Sequence, residues 1–269
     1  MRFAMRFHHL IIALAAASSL LTAAAAQAAK GRLAIDGGEF RLHLDDGRVL
    51  QREALVGAHV VIHNGAETIR LLIDAVVEDK TSSGKTSSGK PLVLYRLLVE
   101  DASGQVQEAC QPDARGRRLG MPLLKETGIT LTCTSGAEGK CILMGYRPWE
   151  ESADVPMRDL HAACIHMVRA DYGGDDRATT RDGTIIDVYD RFGIQLPDAV
   201  DPMPFEAAWG KHGAICIAHP RIAQNVTLAE LESRHRRLRN HLGPEACTEE
   251  AMRRHPEALL FNRSAVTAP

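Results

Sequence analysis

The chain has 269 residues, 45% of them hydrophobic but only 4% aromatic, so its core must rest on Leu, Ile, Val and Ala. Its 32 basic and 34 acidic residues nearly cancel. That balance excludes a nucleic-acid or anionic-membrane binder working through net charge.

The N-terminus has the three parts of an export signal. Arg2 and Arg6 form a positive start, residues 10–21 are an apolar run of Leu, Ile and Ala, and Ala26-Gln27-Ala28 places small residues where a signal peptidase reads. Cleavage is expected after Ala28, by the general secretory route and without a lipid anchor, because Arg2 and Arg6 are not adjacent and no Cys follows the apolar run. No other stretch approaches the length of a membrane span. The expected location is the periplasm or the exterior, with no integral span once the signal is removed.

Residues 32–149 read as β-rich. Phe40, Leu42 and Leu44 alternate with Arg41 and His43, the period of a half-buried strand, and Asp46-Gly47 follows as a tight turn. Residues 60–63 lead into Asn64-Gly65, a second hairpin turn. Residues 68–78 and 92–100 read as paired strands around a polar duplication, Thr81-Ser82-Ser83-Gly84-Lys85 and Thr86-Ser87-Ser88-Gly89-Lys90. This is a flexible hairpin tip and not a phosphate loop, since it lacks the first Gly at the required spacing and opens no helix. Residues 129–133 and 142–146 are further strand candidates.

Beyond Trp149 the pattern changes. Leu160, Cys164, Met167 and Val168 form a helical stripe within residues 156–171, with Asp154 as candidate cap and Gly173-Gly174 as terminator. Residues 184–189 and 214–218 read as strands. Thr227 and Glu230 form a capping box for a helix running to Gly243-Pro244, with Leu228, Leu231, Leu238 and Leu242 on its apolar face. Its basic side, Arg234, Arg236, Arg237 and Arg239, reads as a solvated face partly paired to Glu230 and Glu232. Thr248 caps a last short helix, and residues 258–261 close the chain as a strand.

Six cysteines, Cys110, Cys133, Cys141, Cys164, Cys216 and Cys247, all follow the signal. An even count in an exported chain points to disulfides. The best local pair is Cys133 with Cys141, because Ser135-Gly136 and Gly139 let the short loop fold back, a closure worth ~2–3 kcal/mol. No Cys-x-x-Cys or Cys/His quartet supports zinc, and no metal or other cofactor is expected.

From Cys133 onward the chain resembles the ADYC-domain family of exported bacterial proteins. The resemblance is carried by Cys133-Thr134-Ser135-Gly136, Gly139-Lys140-Cys141, Gly145-Tyr146-Arg147-Pro148-Trp149 and His161-Ala162-Ala163-Cys164. It continues through Met167-Val168-Arg169, Ala170-Asp171-Tyr172-Gly173, Thr180-Arg181-Asp182-Gly183-Thr184, Ile186-Asp187, Tyr189-Asp190, Phe205-Glu206-Ala207-Ala208-Trp209 and Cys216. Gly173 stands where the family's name-giving run has Cys. The resemblance implies an exported, cysteine-tied fold and no particular reaction.

The sharpest functional candidates are Asp171, Tyr172, Asp175 and Asp176, on a glycine-bearing loop after a helix, with Asp182 beyond. Such carboxylates can bind a hard cation or act as general acid and base, but the calcium-loop spacing is not met. The plainer reading has Asp171 and Asp182 bonding turn amides while Asp175 and Asp176 face water. His161 and His166 lie about 140° apart around a helix, so they form no metal pair. His59 and His63 are separated by about 13 Å along one strand. Cys164 beside His161 reads as a disulfide half rather than a nucleophile, and Trp149 and Trp209 read as hydrophobic anchors.

The expected fold is α+β, a β-rich N-terminal part packed on a smaller mixed α/β C-terminal part, stabilised by disulfides. The expected organisation is a signal over 1–28, a β-rich region over 29–128 and an ADYC-like α+β domain over 129–269. The expected role is a binding or structural module of the cell envelope with an envelope or extracellular partner. The alternative is a secreted hydrolase using carboxylates around residues 171–182 with His161 or His166 near.

Overall fold

A computed structural model describes residues 30–64, 67–80, 89–101, 103–126, 128–152, 154–200 and 202–267. The expected export signal at 1–28, the second hairpin's Gly65 and most of the Thr-Ser-Ser-Gly-Lys duplication (81–88) lie outside them.

The fold is α+β, with three antiparallel sheets. The first is a meander of β1 (Gly31–Asp36), β2 (Glu39–Leu44) and β3 (Val49–Gln51). The second takes β4 (His59–Asn64), β5 (Glu67–Asp79), β6 (Leu92–Glu100), β8 (Gly120–Lys125) and β9 (Gly128–Cys133) in that order, with β7 (Val106–Glu108) also on β6. By strand pairing β9 therefore belongs with the N-terminal strands. Arg52 ties the two sheets, donating to Glu39 of β2 at 2.9 Å and to Glu78 of β5 at 2.8 Å. Phe40 of β2 meets Tyr95 of β6 edge-to-face at 4.9 Å, and its N–H donates to the Tyr95 oxygen.

The third sheet has the order β10 (Ile186–Asp190), β13 (Leu260–Ser264), β11 (Phe205–Gly210), β12 (Gly213–Ile217). Its two central strands are distant in sequence, so the chain's last strand completes the core. Helix α2 (Met157–Arg169) lays Met157, Leu160, Cys164 and Met167 on this sheet, all buried, as their three-to-four-residue spacing requires. Trp209 lies fully buried at the centre, stacked on Tyr172 at 5.2 Å. Two short helices, α3 (Leu228–Arg234) and α4 (Glu249–Arg253), close the periphery, and the Thr227 and Thr248 hydroxyls cap them by accepting from the Glu230 and Ala251 N–H groups.

Three expectations about the helices and strands are corrected. Residues 142–146 are not a strand: α1 (Ala137–Leu143) occupies the region, with Glu138 in its first turn and Lys140 in its last, each complementing the helix dipole. Asp154 does not cap α2, which begins after Pro156 with no side-chain cap. The helix from Thr227 does not reach Gly243. It ends at Arg234, and His235 turns extended before a 3₁₀ turn, Arg236–Leu238.

That break turns Arg237 inward, so the basic run is not wholly a solvated face. The Arg237 guanidinium donates to the carbonyls of Tyr172 (2.8 Å), Gly173 (2.9 Å) and His212 (3.0 Å), and to that of Ala214. Burial holds its pKa below the usual arginine value.

The disulfides join Cys110 to Cys133, Cys141 to Cys164 and Cys216 to Cys247, with Cα separations of 5.5, 5.8 and 5.4 Å. The expected Cys133–Cys141 bridge is absent because α1 begins between the two residues. Gly139 passes so close to β9 that a Cβ there would lie 2.1 Å from the Cys133 carbonyl oxygen. Cys141 then sits on the buried side of α1, which packs against α2 and Cys164, while Cys133 meets the β7–β8 connection at Cys110. Among the described residues no cysteine is free, and no helix is long and apolar enough to cross a membrane.

Candidate functional site

The loop after α2 is shaped by a left-handed residue. Ala170 takes φ 49° and ψ 42°, and its N–H returns to the carbonyls of the last turn. The chain doubles back, so the Asp171 carboxylate faces the helix it has just left. Asp171 Oδ1 accepts from the N–H groups of Gly174 (3.0 Å) and Asp175 (3.2 Å), and Oδ2 accepts from Asp176 N–H (3.1 Å) and His166 Nδ1 (2.9 Å). Gly174 is required here. It has φ +68°, and a Cβ would lie 2.1 Å from the His212 carbonyl oxygen.

Asp171 is fully buried. Burial opposes its charge, but the hydrogen bonds from His166 and the loop amides outweigh it and hold the carboxyl below the ordinary carboxylate range. A folded-state pKa below the unfolded ~3.9 gives stability that is present above that value and lost as pH falls through the folded one. Asp171→Asn would turn an acceptor into a donor against His166 or an amide. It is expected to cost about 2 kcal/mol near neutrality. Urea denaturation should show the gap to the parent narrowing in acid, and a constant gap would refute the assignment of that acid dependence to Asp171.

The other candidates do not converge on this pair. Asp175 is exposed, 3.5 Å from Arg234 and 3.9 Å from His235. Asp176 is exposed and pairs with Arg169 at 2.9 Å, and Asp182 stays exposed in its own turn. Tyr172 points the other way, into the core. His161 is buried, donates Nδ1–H to the Tyr146 carbonyl at 2.9 Å, and is held below the usual histidine pKa by burial. Its Nε2 is buried without a partner among the described residues.

It is His166 that meets the acidic loop. In the neutral imidazole, donation from Nδ1 to an ionised carboxylate leaves Nε2 as the acceptor nitrogen. That nitrogen has no hydrogen-bond partner among the described residues, and His166 lines an open depression of about 460 Å³ with Thr132, Glu138, Arg169 and Asp176. An imidazole so oriented can take a proton from a water or hydroxyl placed there. The two carboxylates of the lining are already engaged, Glu138 with Lys125 and Asp176 with Arg169. Among the described residues no group of three or more His, Cys, Asp or Glu is arranged to hold a metal ion.

Sequence reasoning missed the buried polar centre behind this loop. Glu206 of β11 is fully buried. It accepts from Tyr172 OH (2.9 Å), from Arg221 Nε and Nη2 (both 3.0 Å) and from Asn262 Nδ2 (2.7 Å). Trp209 Nε1 donates to Asn262 Oδ1 at 2.7 Å, and Arg221 also donates to the carbonyls of Met167 (2.8 Å) and Val168 (3.1 Å). Every carboxylate oxygen and the guanidinium are satisfied, so this centre is framework that fixes the end of α2. Its one trace in the sequence is a Glu among small apolar residues in Phe205-Glu206-Ala207-Ala208-Trp209.

A family model described as the ADYC domain matches residues 52–223, well over half of the chain. The match covers β4 to β12, the His166–Asp171 loop and Glu206 with Arg221, and begins far upstream of Cys133. No curated protein and no solved structure matches the chain.

Proposed function

The chain belongs to the ADYC-domain family, and from that premise we propose that it is an exported, disulfide-stabilised binding module of the cell envelope, with a partner in the envelope or outside the cell. The observation that carries the reading is that all six cysteines are consumed in three bridges, two of them completely buried. Such bonds persist in the periplasm or the exterior and not in a reducing cytosol. The signal at 1–28, with cleavage after Ala28, supplies the route. The acidic loop supports the same reading, since Asp171 spends its acceptor capacity on the turn it stabilises.

Expression from the native start, followed by fractionation and N-terminal sequencing, is expected to give a non-cytosolic chain beginning at Ala29 without titratable thiols. A cytosolic product beginning at Met1 with six reactive thiols would overturn export. Immobilised protein is expected to retain a specific partner from envelope extract, and retention of nothing above a reduced-protein control would overturn the binding role.

One observation favours a second reading, a secreted hydrolase. The His166–Asp171 pair is oriented as a general base and opens onto a depression. If it works in that way, hydrolysis of an activated ester should fall about 10²–10⁴-fold in His166→Gln, the usual contribution of a positioned base. Equal turnover by parent and variant would remove the reading.

A further inference from the structure

The N-terminal meander carries an apolar row. Leu33 of β1 pairs with Leu42 of β2, and Leu42 pairs with Leu50 of β3. Residues paired across antiparallel strands share a face, so the three leucines form a continuous stripe, and Leu44 extends it two residues along β2. Opposite it stand Leu55, Val60 of β4 and Ile73 of β5, all buried. Leu33, Leu42 and Leu50 pack on that core, but the two surfaces do not close completely. Between them lies a cleft of about 710 Å³, and Leu33, Leu42 and Leu50 remain only partly buried.

Two exposed residues of that lining, Lys30 and His59, are its only titratable groups among the described residues. Neither side chain has an ion-pair or hydrogen-bond partner among the described residues. Among the described residues no carboxylate lines the cleft, in a chain whose overall charge is slightly negative. An apolar pocket within the roughly 300–1,000 Å³ range of small-molecule sites, with the Lys30 ammonium and the His59 imidazole at its mouth, complements a molecule with an apolar body and one anionic end.

We propose that this cleft binds a single-chain amphiphile with an anionic head, a long-chain carboxylic acid, its tail along Leu33, Leu42 and Leu50 and its carboxylate at Lys30 and His59. The proposal rests on the binding-module reading and gives it a ligand class. It does not involve the His166 loop.

The test is titration of the purified, fully oxidised chain beginning at Ala29 with the fluorescent polyene acid cis-parinaric acid, and displacement by palmitate and by its methyl ester. Saturable binding of one equivalent is expected. Lys30→Glu, a surface change that leaves the core intact, should weaken palmitate about tenfold or more, some 1.4 kcal/mol per decade, and leave the methyl ester nearly unchanged. Leu42→Asp should abolish binding; if it does not fold, Leu33→Trp, which fills the cleft, should do the same. No saturable binding, or equal loss of acid and ester in Lys30→Glu, would overturn the proposal. So would displacement of the probe by a peptide of residues 10–21 at lower concentration than palmitate, which gives the cleft to the chain's own leader. Self-association that Leu42→Asp removes would likewise overturn it by giving the cleft to a second copy. Failure here with partner retention from envelope extract intact leaves the binding-module reading standing.

Discussion

Glu206→Ala is expected to destabilise the protein by about 3–5 kcal/mol, because it strands the Arg221 guanidinium in a site closed to solvent. Both side chains are essentially inaccessible, and Glu206 is the shared acceptor for Tyr172, Arg221 and Asn262. Removing it leaves three buried donors without their partner at once. Glu206→Gln separates charge from shape. The amide keeps one oxygen acceptor but presents N–H₂ to a donor, so a smaller yet substantial loss is expected. The double variant Glu206→Leu with Arg221→Leu should be less destabilised than Glu206→Ala, since a buried pair replaced as a whole leaves no uncompensated charge. Urea denaturation of the four proteins would measure this. If Glu206→Ala were as stable as the parent, the network would be a passenger of the fold.

The same centre links framework to site. Tyr172 follows Asp171 directly, and its hydroxyl both donates to Glu206 and accepts the Arg221 N–H at 2.7 Å. Burial and the Glu206 charge push the Tyr172 phenol well above its usual pKa, so it stays a neutral donor. Arg221 also holds the carbonyls of Met167 and Val168, beside the left-handed Ala170. The geometry that brings Asp171 back onto His166 is thus braced from below. Loss of the network should loosen the His166–Asp171 contact even in molecules that remain folded.

Much of the framework could be read from residue pattern, and the failures have distinct physical causes. The alternation at Phe40, Leu42 and Leu44 and the long runs that became β5 and β6 were legible because one face of each strand is buried. Strand β11 was not, since Glu206 interrupts its apolar face and its partners Asn262 of β13, Arg221 and Tyr172, distant in sequence, make that tolerable. The strand expected over residues 142–146 begins inside helix α1 because Ile142, Leu143 and Met144 form an apolar run, and a seven-residue helix owes its existence to tertiary packing rather than propensity. At the site, residues five apart point in different directions on an ideal helix. That argument holds only inside the helix, and Ala170 ends it one residue before Asp171. Asp171, Tyr172, Asp175 and Asp176 were found because an acidic, glycine-bearing loop is conspicuous. Their division into one buried acceptor, one core phenol and two surface ion pairs depends on where the chain turns, which no local pattern encodes.

Replacing Cys141 and Cys164 together by Ala is expected to cost about 3–4 kcal/mol on the chain-entropy account of a loop this long. The bridge spans a sequence separation of 23 residues and joins α1, which follows the last strand of the β-rich part, to α2, which lies on the C-terminal sheet. It therefore couples the two halves, whereas Cys110–Cys133 ties the β7–β8 connection to β9 and Cys216–Cys247 lies wholly in the C-terminal part. Alanine is the informative substitution, because both sulfurs are fully buried and serine would add an unpartnered hydroxyl. Accessibility sets the order in which the native bridges are attacked, since exchange needs a thiolate to reach sulfur. Cys133 is partly exposed while Cys141, Cys164 and Cys216 are sealed. Graded dithiothreitol followed by alkylation and peptide mapping should label Cys110 and Cys133 first, with little loss of structure, and Cys141 and Cys164 only as the protein unfolds. Early labelling of Cys141 with the fold retained would mean that the two halves separate readily, and the bridge would then have to be read as a tether between mobile parts instead of a bolt through a shared core.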